Sequence, residues 1–315
     1  MTHGPWDPVI SKPFRVIFSA PLIAALTSAL LGWPQQMLQL FPTRHSEHRA
    51  AEVLSLSSSA SARDVHVVPG TRQRFEQARP LIRGLPANQA MARLAEFFLG
   101  SPYLAMSLDQ SGEEQLRLDL MQFDCMLFVE QLLAMVTADS FDGFADQTRR
   151  LRYRSGEVGY CTRHHYFYDW VRSAQAQGLL EQSPVWQGQS TRILPLNYMS
   201  SHRNRYAALR SPALFHCIRD REQGRLIEQH YLPLESLDSA LPSLQSGDLF
   251  AVATSVDGLD VSHTGVLVRE GSRLDAIHAA PGRGVMRSRS FQRYLRSVPD
   301  AIGAVIVRPI KQKSS

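Results

Sequence analysis

The sequence predicts an α+β fold in which helices pack on one face of an antiparallel sheet. Apolar residues recur at helical spacing in the earlier part of the folded region, most clearly over residues 124–136. Short apolar runs separated by Gly, Asp, Ser and Pro follow later and are typical of strands joined by turns. These runs are Leu249–Ala253, Thr264–Val268, Leu274–His278 and Ala304–Val307. Helices first and strands afterwards favour the α+β class.

The first 35 residues have the features of a signal peptide or a membrane anchor. Lys12 and Arg15 precede an uncharged apolar run over residues 16–33, which is the order of regions in an export signal. The run is nearly long enough to span a bilayer, but Pro21 and Thr27 weaken a permanent helix. We therefore expect export to the periplasm or cell envelope, with the run either cleaved or retained in association with the membrane.

A flexible linker is predicted over residues 36–71, because this stretch is rich in Ser, Ala, His and Arg and buries little apolar surface. One domain with its own core is expected over residues 72–310, followed by a tail at 311–315. The chain has three cysteines, at positions 125, 161 and 217. One stays unpaired even if the other two form a disulfide, and an odd thiol in an oxidising compartment requires an explanation.

Helices are expected in the first part of this domain. Residues 74–98 show helical spacing divided by Pro80 and Pro86, which indicates one or two helices. A second helical region is predicted between residues 147 and 178. It includes the aromatic string that begins at His164 and His165, a tandem pair whose spacing on a helix does not suit chelation of one ion. Packing is the expected role of the two histidines, and the arginines at 149, 150, 152 and 154 are expected on a solvated helix face.

Cys125 is the first candidate for chemistry. It follows Asp124, and Asp is a preferred N-cap, so the thiol is predicted in the first turn of a helix. The helix dipole and the free N–H groups there favour the thiolate, which is the nucleophilic form of cysteine. The same N–H groups can stabilise an oxyanion formed during acyl transfer. The alternative is that Cys125 is a small buried hydrophobic residue.

His263 and His278 provide a candidate base and its partner. His263 opens one predicted strand and His278 closes the next. If Val268 faces Arg273 across a four-residue loop, the two histidines stand directly opposite each other, with Cβ atoms about 5 Å apart. His263 would then take the proton of Cys125 while His278 fixes its tautomer. A register slip by one residue would separate them, and the alternative is that both are polar residues at solvent-exposed strand ends.

These residues resemble the NlpC-type cell-wall cysteine peptidases of the papain-like superfamily, and within them the N-acetylmuramoyl-L-alanine amidase-like branch. The resemblance covers residues 72–309. Its motifs are Gly100-Ser101-Pro102-Tyr103, Phe123-Asp124-Cys125-Met126-Leu127-Phe128-Val129-Glu130, His164-His165-Tyr166-Phe167-Tyr168-Asp169-Trp170, Leu196-Asn197-Tyr198-Met199-Ser200-Ser201-His202, Ser246-Gly247-Asp248-Leu249-Phe250, Ser262-His263-Thr264-Gly265-Val266 and Ile277-His278-Ala279. Met126 and Leu127 depart from the Ser-Gly or Thr that follows the cysteine in many members.

The resemblance implies a circularly permuted papain-like fold and no metal or organic cofactor. It also implies that Cys125, His263 and His278 are nucleophile, base and orienting residue. Residues expected beside the substrate cleft are Tyr103, Asp124, His164, His165, Asn197, Ser200, His202 and Ser262.

The implied reaction is hydrolysis, through a thioester, of the amide that joins the muramic acid lactyl group to L-alanine in peptidoglycan or muropeptides. One alternative is cleavage of the stem peptide between D-glutamate and the diamino acid. A second is acyl transfer on a lipid, and a third is a wall-binding module without activity, which would not need the Cys-His-His combination. A monomer is expected.

Other classes lose their usual sequence support. The formal net charge of +5 comes from scattered basic residues, which does not indicate a nucleic-acid surface. The sequence has no Gly-rich phosphate loop followed by Lys and Ser or Thr, and no HExxH motif. Phosphoryl transfer and zinc proteolysis are therefore not indicated.

Overall fold

In the computed structural model of the chain, the described residues are 65–109, 113–182 and 188–310. The predicted signal or anchor (1–35), the linker up to residue 64 and the tail (311–315) lie outside them. Strand β1 (Val65–Val67) pairs in parallel with β2 (Leu116–Leu118). The folded region therefore includes residues that the composition assigned to the linker, because three residues of alternating strand are too short to stand out in a polar stretch.

Five helices precede most of the sheet: α1 (Thr71–Ile82), α2 (Ala87–Phe97), α3 (Cys125–Thr137), α4 (Phe141–Arg152) and α5 (Phe167–Ala176). Pro80 lies inside α1, and the break before α2 falls at Gly84, whose φ of 77° is in the left-handed region. No helix among residues 65–109, 113–182 and 188–310 is long and apolar enough to cross a membrane.

His164 and His165 are not helical, contrary to the expectation from the aromatic string. Arg163 anchors the preceding loop through Asp109 and Glu114, at 2.6 and 3.1 Å. The Tyr168 N–H, in the first turn of α5, donates to the Asp260 carboxylate at 2.7 Å. These long-range contacts fix the start of the helix at Phe167, which local periodicity cannot show.

The main sheet has eight strands, with β4-β5-β10-β6-β7-β8-β9 in order and β3 paired beside β5 on the edge of β10. Every pairing in it is antiparallel. The strands are β3 (Leu180–Gln182), β4 (Ser190–Pro195), β5 (Leu226–Pro233), β6 (Leu249–Thr254), β7 (Val261–Glu270), β8 (Arg273–Ala280), β9 (Gly284–Ser288) and β10 (Ala301–Pro309). All four predicted apolar runs are strands of this sheet, which confirms the α+β class.

Helices cover both faces of the sheet, whereas the sequence predicted one covered face. The larger core joins α1 to α5 with residues such as Val266 and Ile277. A second core lies on the other face, where α8 (Leu237–Ala240) and α9 (Phe291–Ser297) pack on residues such as Leu267 and Ala276. The period of two along β7 and β8 explains the alternation, because successive side chains point to opposite faces. Two buried faces also explain why these strands are almost continuously apolar.

A third, smaller core lies beside the sheet. It contains residues of the paired strands β4 and β5, of the short α6 (Tyr198–Ser201) and of α7 (Pro212–Glu222). A disulfide between Cys161 and Cys217 joins the loop before α5 to α7. The disulfide leaves Cys125 as the free thiol of the chain.

Arg152 is buried, although its arginine-rich surroundings predicted a solvated face. Its guanidinium donates to Glu130 Oε1 at 2.5 and 2.9 Å, and only 2% and 3% of the two side chains is exposed. It also donates to the Arg117 carbonyl at 2.8 Å. Glu130 is on α3 and Arg152 ends α4, so this ion pair ties the helix that carries Cys125 to its neighbour.

Candidate active site

Helix α3 begins at Cys125, as its sequence predicts. Asp124 is the N-cap, and its Oδ1 accepts the Leu127 N–H at 2.8 Å. This bond satisfies one of the free donors of the first turn and fixes the direction in which the helix starts. The Cys125 side chain is therefore held at the positive end of α3 and is only partly buried.

The sulfur of Cys125 lies against strand β7. The Thr264 N–H donates to it, and Thr264 directly follows His263. The ladder between β7 and β8 runs from Glu270–Arg273 to Val266–Ile277, while both strands continue further. The thiol therefore contacts β7 at a residue that lies outside the paired part of the β7–β8 ladder, next to its Val266–Ile277 end.

A β-bulge re-aims His263. Ala251 of β6 pairs with Thr264, but Ala253 pairs with Val261. Three steps along β7 therefore oppose two along β6, and Ser262 and His263 are the residues inside the irregularity. Bulges of this kind redirect a side chain out of the regular alternation. Ser262 is exposed and His263 is half-buried.

The two histidines are in contact, but the predicted register was wrong. The hairpin turn is Gly271-Ser272, with Gly271 at φ 61°, and Val268 pairs with Asp275 rather than with Arg273. A shift by two residues keeps every side chain on its face, whereas a shift by one would not. His263 Nε2 and His278 Nδ1 are 2.9 Å apart, and the rings are nearly perpendicular.

Gly265 allows this approach. A Cβ at this position would lie 2.6 Å from the Ile277 carbonyl oxygen and 2.8 Å from the His278 Cβ. Both distances are far inside van der Waals contact, so only glycine lets β7 and β8 approach closely enough beside the histidines.

Sequence reasoning missed two residues of the site. Ser288, at the end of β9, places its Oγ 2.9 Å from His278 Nε2. Tyr294, on α9, lies with its ring centroid 4.5 Å from that of His278 and 6.4 Å from that of His263. The short strand β9 follows a turn at Pro281-Gly282, and this turn was the available signal for a further strand. The register of β9 and the position of α9 depend on contacts between distant parts of the chain, so the sequence does not predict them.

Tyr103 lies near the thiol, close enough for Cys125 to influence its pKa. It forms an isolated parallel bridge with Phe123, two residues before Cys125. Burial raises the pKa of Tyr103, and the nearby Cys125 and Asp124 raise it further. Burial also raises the pKa of Tyr294, with a smaller contribution from Cys125. Both phenols are therefore close enough to the candidate nucleophile for Cys125 to influence their pKa values.

The unliganded site favours neutral groups, which corrects the expected thiolate. Burial, reinforced by the Asp124 carboxylate, raises the pKa of Cys125 to about 12, against a smaller opposing effect of the Thr264 N–H. Burial raises the pKa of Asp124 to about 6. Burial lowers the pKa of His263 to about 3, helped by His278, and that of His278 to about 4. Desolvation thus outweighs the helix dipole, and a thiol faces uncharged imidazoles at neutral pH.

We expect the rate at which iodoacetamide alkylates Cys125 to rise about tenfold per pH unit from pH 7 to pH 10, without the plateau that a free thiol shows near its pKa of about 8.5. The reason is that a thiol with a raised pKa is far from half-ionised over this range. Mass spectrometry of the full chain measures the rate. Asp124→Asn keeps a capping oxygen and removes the charge, so it should react faster at pH 8. A plateau below pH 8 in the unaltered chain would contradict the raised pKa.

His164 and His165 lie in the segment just before α5. His165 Nε2 is 2.7 Å from the Tyr160 carbonyl oxygen, and its ring packs on Tyr160. His164 has both ring nitrogens buried without a hydrogen-bond partner, and burial lowers its pKa to about 4, with a further contribution from Arg154. The packing role expected for the pair fits these contacts.

Three further predicted cleft residues lie in α6 or at its two ends: Ser200 is within the helix, and Asn197 and His202 cap it. Asn197 and Tyr198 both donate their N–H groups to the carbonyl of Gly258, at 3.2 and 3.1 Å. His202 stacks on Tyr198 with ring centroids 4.0 Å apart. The Ser200 N–H donates to Glu222 at 3.0 Å. Gly258 belongs to the connection that leads into β7. The two hydrogen bonds from Asn197 and Tyr198 therefore tie α6 to the segment that precedes the strand of His263.

Asp124, Tyr103 and Thr264 therefore lie near the Cys125 thiol, and His263, which directly precedes Thr264, is in contact with His278. Of the remaining predicted cleft residues, His165 and His202 pack on aromatic residues of the third core, and Ser262 is exposed. Over the described part of the chain, no group of three or more His, Cys, Asp or Glu side chains is arranged to hold a metal ion.

Comparison with known proteins gives a consistent result. The sequence profile of the AmiA-like family, described as N-acetylmuramoyl-L-alanine amidase-like, matches residues 93–303. No curated protein matches the chain significantly.

Solved structures also match. An N-acetylmuramoyl-L-alanine amidase from Bacteroides uniformis is 31% identical, with 71% of this chain and 99% of that chain covered and a TM-score of 0.67. A Bacteroides fragilis protein with the provisional name of a xylanase is 32% identical, with 68% and 98% covered and a TM-score of 0.63. A Legionella pneumophila protein at 17% identity, with 84% and 97% covered and a TM-score of 0.63, shares the fold.

Proposed function

Because the chain belongs to the AmiA-like, N-acetylmuramoyl-L-alanine amidase-like family, we propose that it is a cell-wall amidase that works by cysteine catalysis. The observation that carries the proposal is a free thiol at the start of α3, bound by the backbone next to His263, with His263 hydrogen-bonded to His278. A nucleophile, a base and a group that orients the base are the three parts that such catalysis needs.

In the first half of the reaction, His263 takes the proton of Cys125 while the sulfur attacks the amide carbonyl carbon. The proton goes to Nδ1, because Nε2 is engaged by His278. The carbonyl becomes an oxyanion, which backbone N–H groups at the start of α3 can stabilise. The C–N bond then breaks, and the leaving amine receives the proton from His263. A thioester on Cys125 remains.

In the second half, His263 takes a proton from water, and the hydroxide oxygen attacks the thioester carbonyl. The C–S bond breaks, the proton returns to the sulfur, and a carboxylic acid leaves. His263 is uncharged at rest and can accept a proton, but its lowered pKa and the raised pKa of Cys125 both disfavour the transfer, so the proton has to move as the sulfur attacks the carbonyl carbon. No net charge has to be stored in a partly buried site between turnovers.

The proposed bond is the amide between the lactyl group of N-acetylmuramic acid and L-alanine, in peptidoglycan or its fragments. Both the matching family and the Bacteroides uniformis relative carry this bond in their names. The Cys-His-His order and the motifs around it further support membership of the NlpC-type, circularly permuted papain-like superfamily.

Digestion of purified muropeptides tests the function. The expected product has a new N-terminal L-alanine, identified by mass spectrometry after labelling of free amines. The matched control is the same protein alkylated at Cys125, which is specific because Cys161 and Cys217 are bridged. A new amine on the diamino acid would move the cut into the stem peptide, and release of no amine would contradict an amidase.

We also propose that the protein is exported to the periplasm or cell envelope. The apolar run at residues 16–33 is the sequence argument, and the Cys161–Cys217 disulfide supports it, because disulfides persist in oxidising compartments. Fractionation of cells that express the full chain, with a cytoplasmic marker as control, tests this. Recovery with the cytoplasmic marker would contradict export.

A further inference from the structure

We propose that Ser288 is a positioning residue that sets the direction of the hydrogen-bond chain through His278 to His263, and so keeps His263 in the tautomer that can act as a base. The inference rests on the proposed function, since it concerns how the base of that reaction is prepared. Ser288 is outside the motifs that carry the resemblance.

The chain of contacts crosses three neighbouring strands. His263 is on β7, His278 on β8 and Ser288 on β9. His263 Nε2 is 2.9 Å from His278 Nδ1, and His278 Nε2 is 2.9 Å from Ser288 Oγ. His278 therefore uses both of its ring nitrogens, and the Ser288 hydroxyl is the far end of the chain. Only 4% of His278 is exposed, so bulk water does not replace either contact.

Only one direction of this hydrogen-bond chain leaves His263 Nδ1 unprotonated and able to act as a base. A neutral imidazole carries one N–H, so one ring nitrogen donates and the other accepts. If Ser288 donates to His278 Nε2, then His278 Nδ1–H donates to His263 Nε2, and the proton of His263 sits on Nδ1. Nδ1 is the nitrogen proposed to receive the proton of Cys125, and in this state it is blocked.

The opposite direction is productive. His278 Nε2–H donates to the Ser288 oxygen, and His278 Nδ1 accepts from His263 Nε2–H. His263 Nδ1 then carries a lone pair and can take the thiol proton. A hydroxyl oxygen serves as the acceptor at the end, and it places no charge beside the two imidazoles, whose neutral forms burial already favours. A doubly protonated His278 would instead donate from Nδ1 and could not accept from His263.

Nitrogen NMR of the full chain labelled with ¹⁵N-histidine tests the tautomer without any substrate. We expect His263 to carry its proton on Nε2 in the unaltered protein. Ser288→Ala should shift His263 towards the Nδ1–H form, and Ser288→Thr, which retains a hydroxyl, should restore the original spectrum. An unchanged His263 tautomer in Ser288→Ala would overturn the proposal, whether or not the protein hydrolyses muropeptides.

Kinetics provide the second readout. Ser288→Ala should lower kcat roughly fivefold to tenfold, the range set by one hydrogen bond between neutral groups, with KM nearly unchanged. Ser288→Thr should recover most of kcat. The matched control is Ser239→Ala, the same truncation at an exposed position on α8, which should leave kcat unchanged.

A double-mutant cycle separates positioning from general damage. In a His278→Ala background, Ser288→Ala should cause no further loss of kcat, because the chain is already interrupted. Equal losses from Ser288→Ala with and without His278 would overturn the proposal. Thermal unfolding of each variant identifies any that are unfolded. If Ser288→Ala is among them, Ser288→Val, which has the shape of threonine but lacks the hydroxyl, replaces it in the cycle, with the same coupling to His278 expected.

Discussion

Cys125→Ala is expected to lower kcat for muropeptide hydrolysis by about 10⁴-fold or more, the scale seen when a nucleophile is removed from a covalent mechanism. The fold should remain, because the Asp124 cap bonds to the Leu127 N–H and not to the thiol. The backbone N–H groups that lose the thiol as a partner are those of Thr264, Cys125 and Met126. Product formation followed by mass spectrometry over long incubations measures the residual rate, and circular dichroism checks the fold.

The other two cysteines supply a matched control. Cys161→Ala combined with Cys217→Ala removes the disulfide between the loop before α5 and α7, and hydrolysis should persist while the protein stays folded. Cys125→Ser keeps a hydroxyl in place but should be nearly as inactive, since a serine hydroxyl is harder to ionise than a thiol. Cys125→Ala activity above about one hundredth of the original would be incompatible with covalent catalysis by this residue.

Arg152→Met is expected to lower the free energy of unfolding by about 3–5 kcal/mol, because it leaves the Glu130 carboxylate buried without its partner. Only 3% of that side chain is exposed. The change also removes the bond to the Arg117 carbonyl, which joins α4 to β2. Urea denaturation monitored by tryptophan fluorescence gives the free energy, and Trp170 is fully buried in the same core.

Arg150→Met is the control for this prediction, because the Arg150 side chain is 54% exposed and its ion pair with Asp146 lies at the surface. Its expected effect is about 1 kcal/mol or less. Arg152→Met combined with Glu130→Leu should recover much of the lost stability, since no unpaired charge is then buried. A double variant as unstable as Arg152→Met alone would show that lost packing, and not the orphaned carboxylate, causes the effect.

The sequence was sufficient where local rules decide the structure. The Asp124 cap and the helical period predicted α3 and the placement of Cys125, and alternating or continuous apolar runs predicted β6, β7, β8 and β10. The His263–His278 contact was also predicted, although by a register two residues away from the observed one. The contact survived because the side-chain period of a strand is two residues.

Features that depend on distant parts of the chain were not predictable in this way. The bulge at His263 depends on how β6 pairs, and Ser288 reaches His278 only because β9 adds to the sheet in one register. The thiol pKa was predicted in the wrong direction, because the helix dipole is visible in the sequence while the burial of the site is not. His164 was wrongly assigned to a helix because the start of α5 depends on a distant residue, Asp260, which accepts a hydrogen bond from the first turn of that helix.

Strand β10 lies in the middle of the sheet, bonded to β6 on one edge and to β5 and β3 on the other, yet it is the last strand of the described sequence. A polypeptide emerging from the ribosome can therefore form hairpins from its earlier strands, but it cannot join them until residues 301–309 have been synthesised. Premature termination at residue 300 would remove β10, a central strand, and would leave β5 and β6 without the strand that joins them. This strand order postpones the completed tertiary structure to the end of translation.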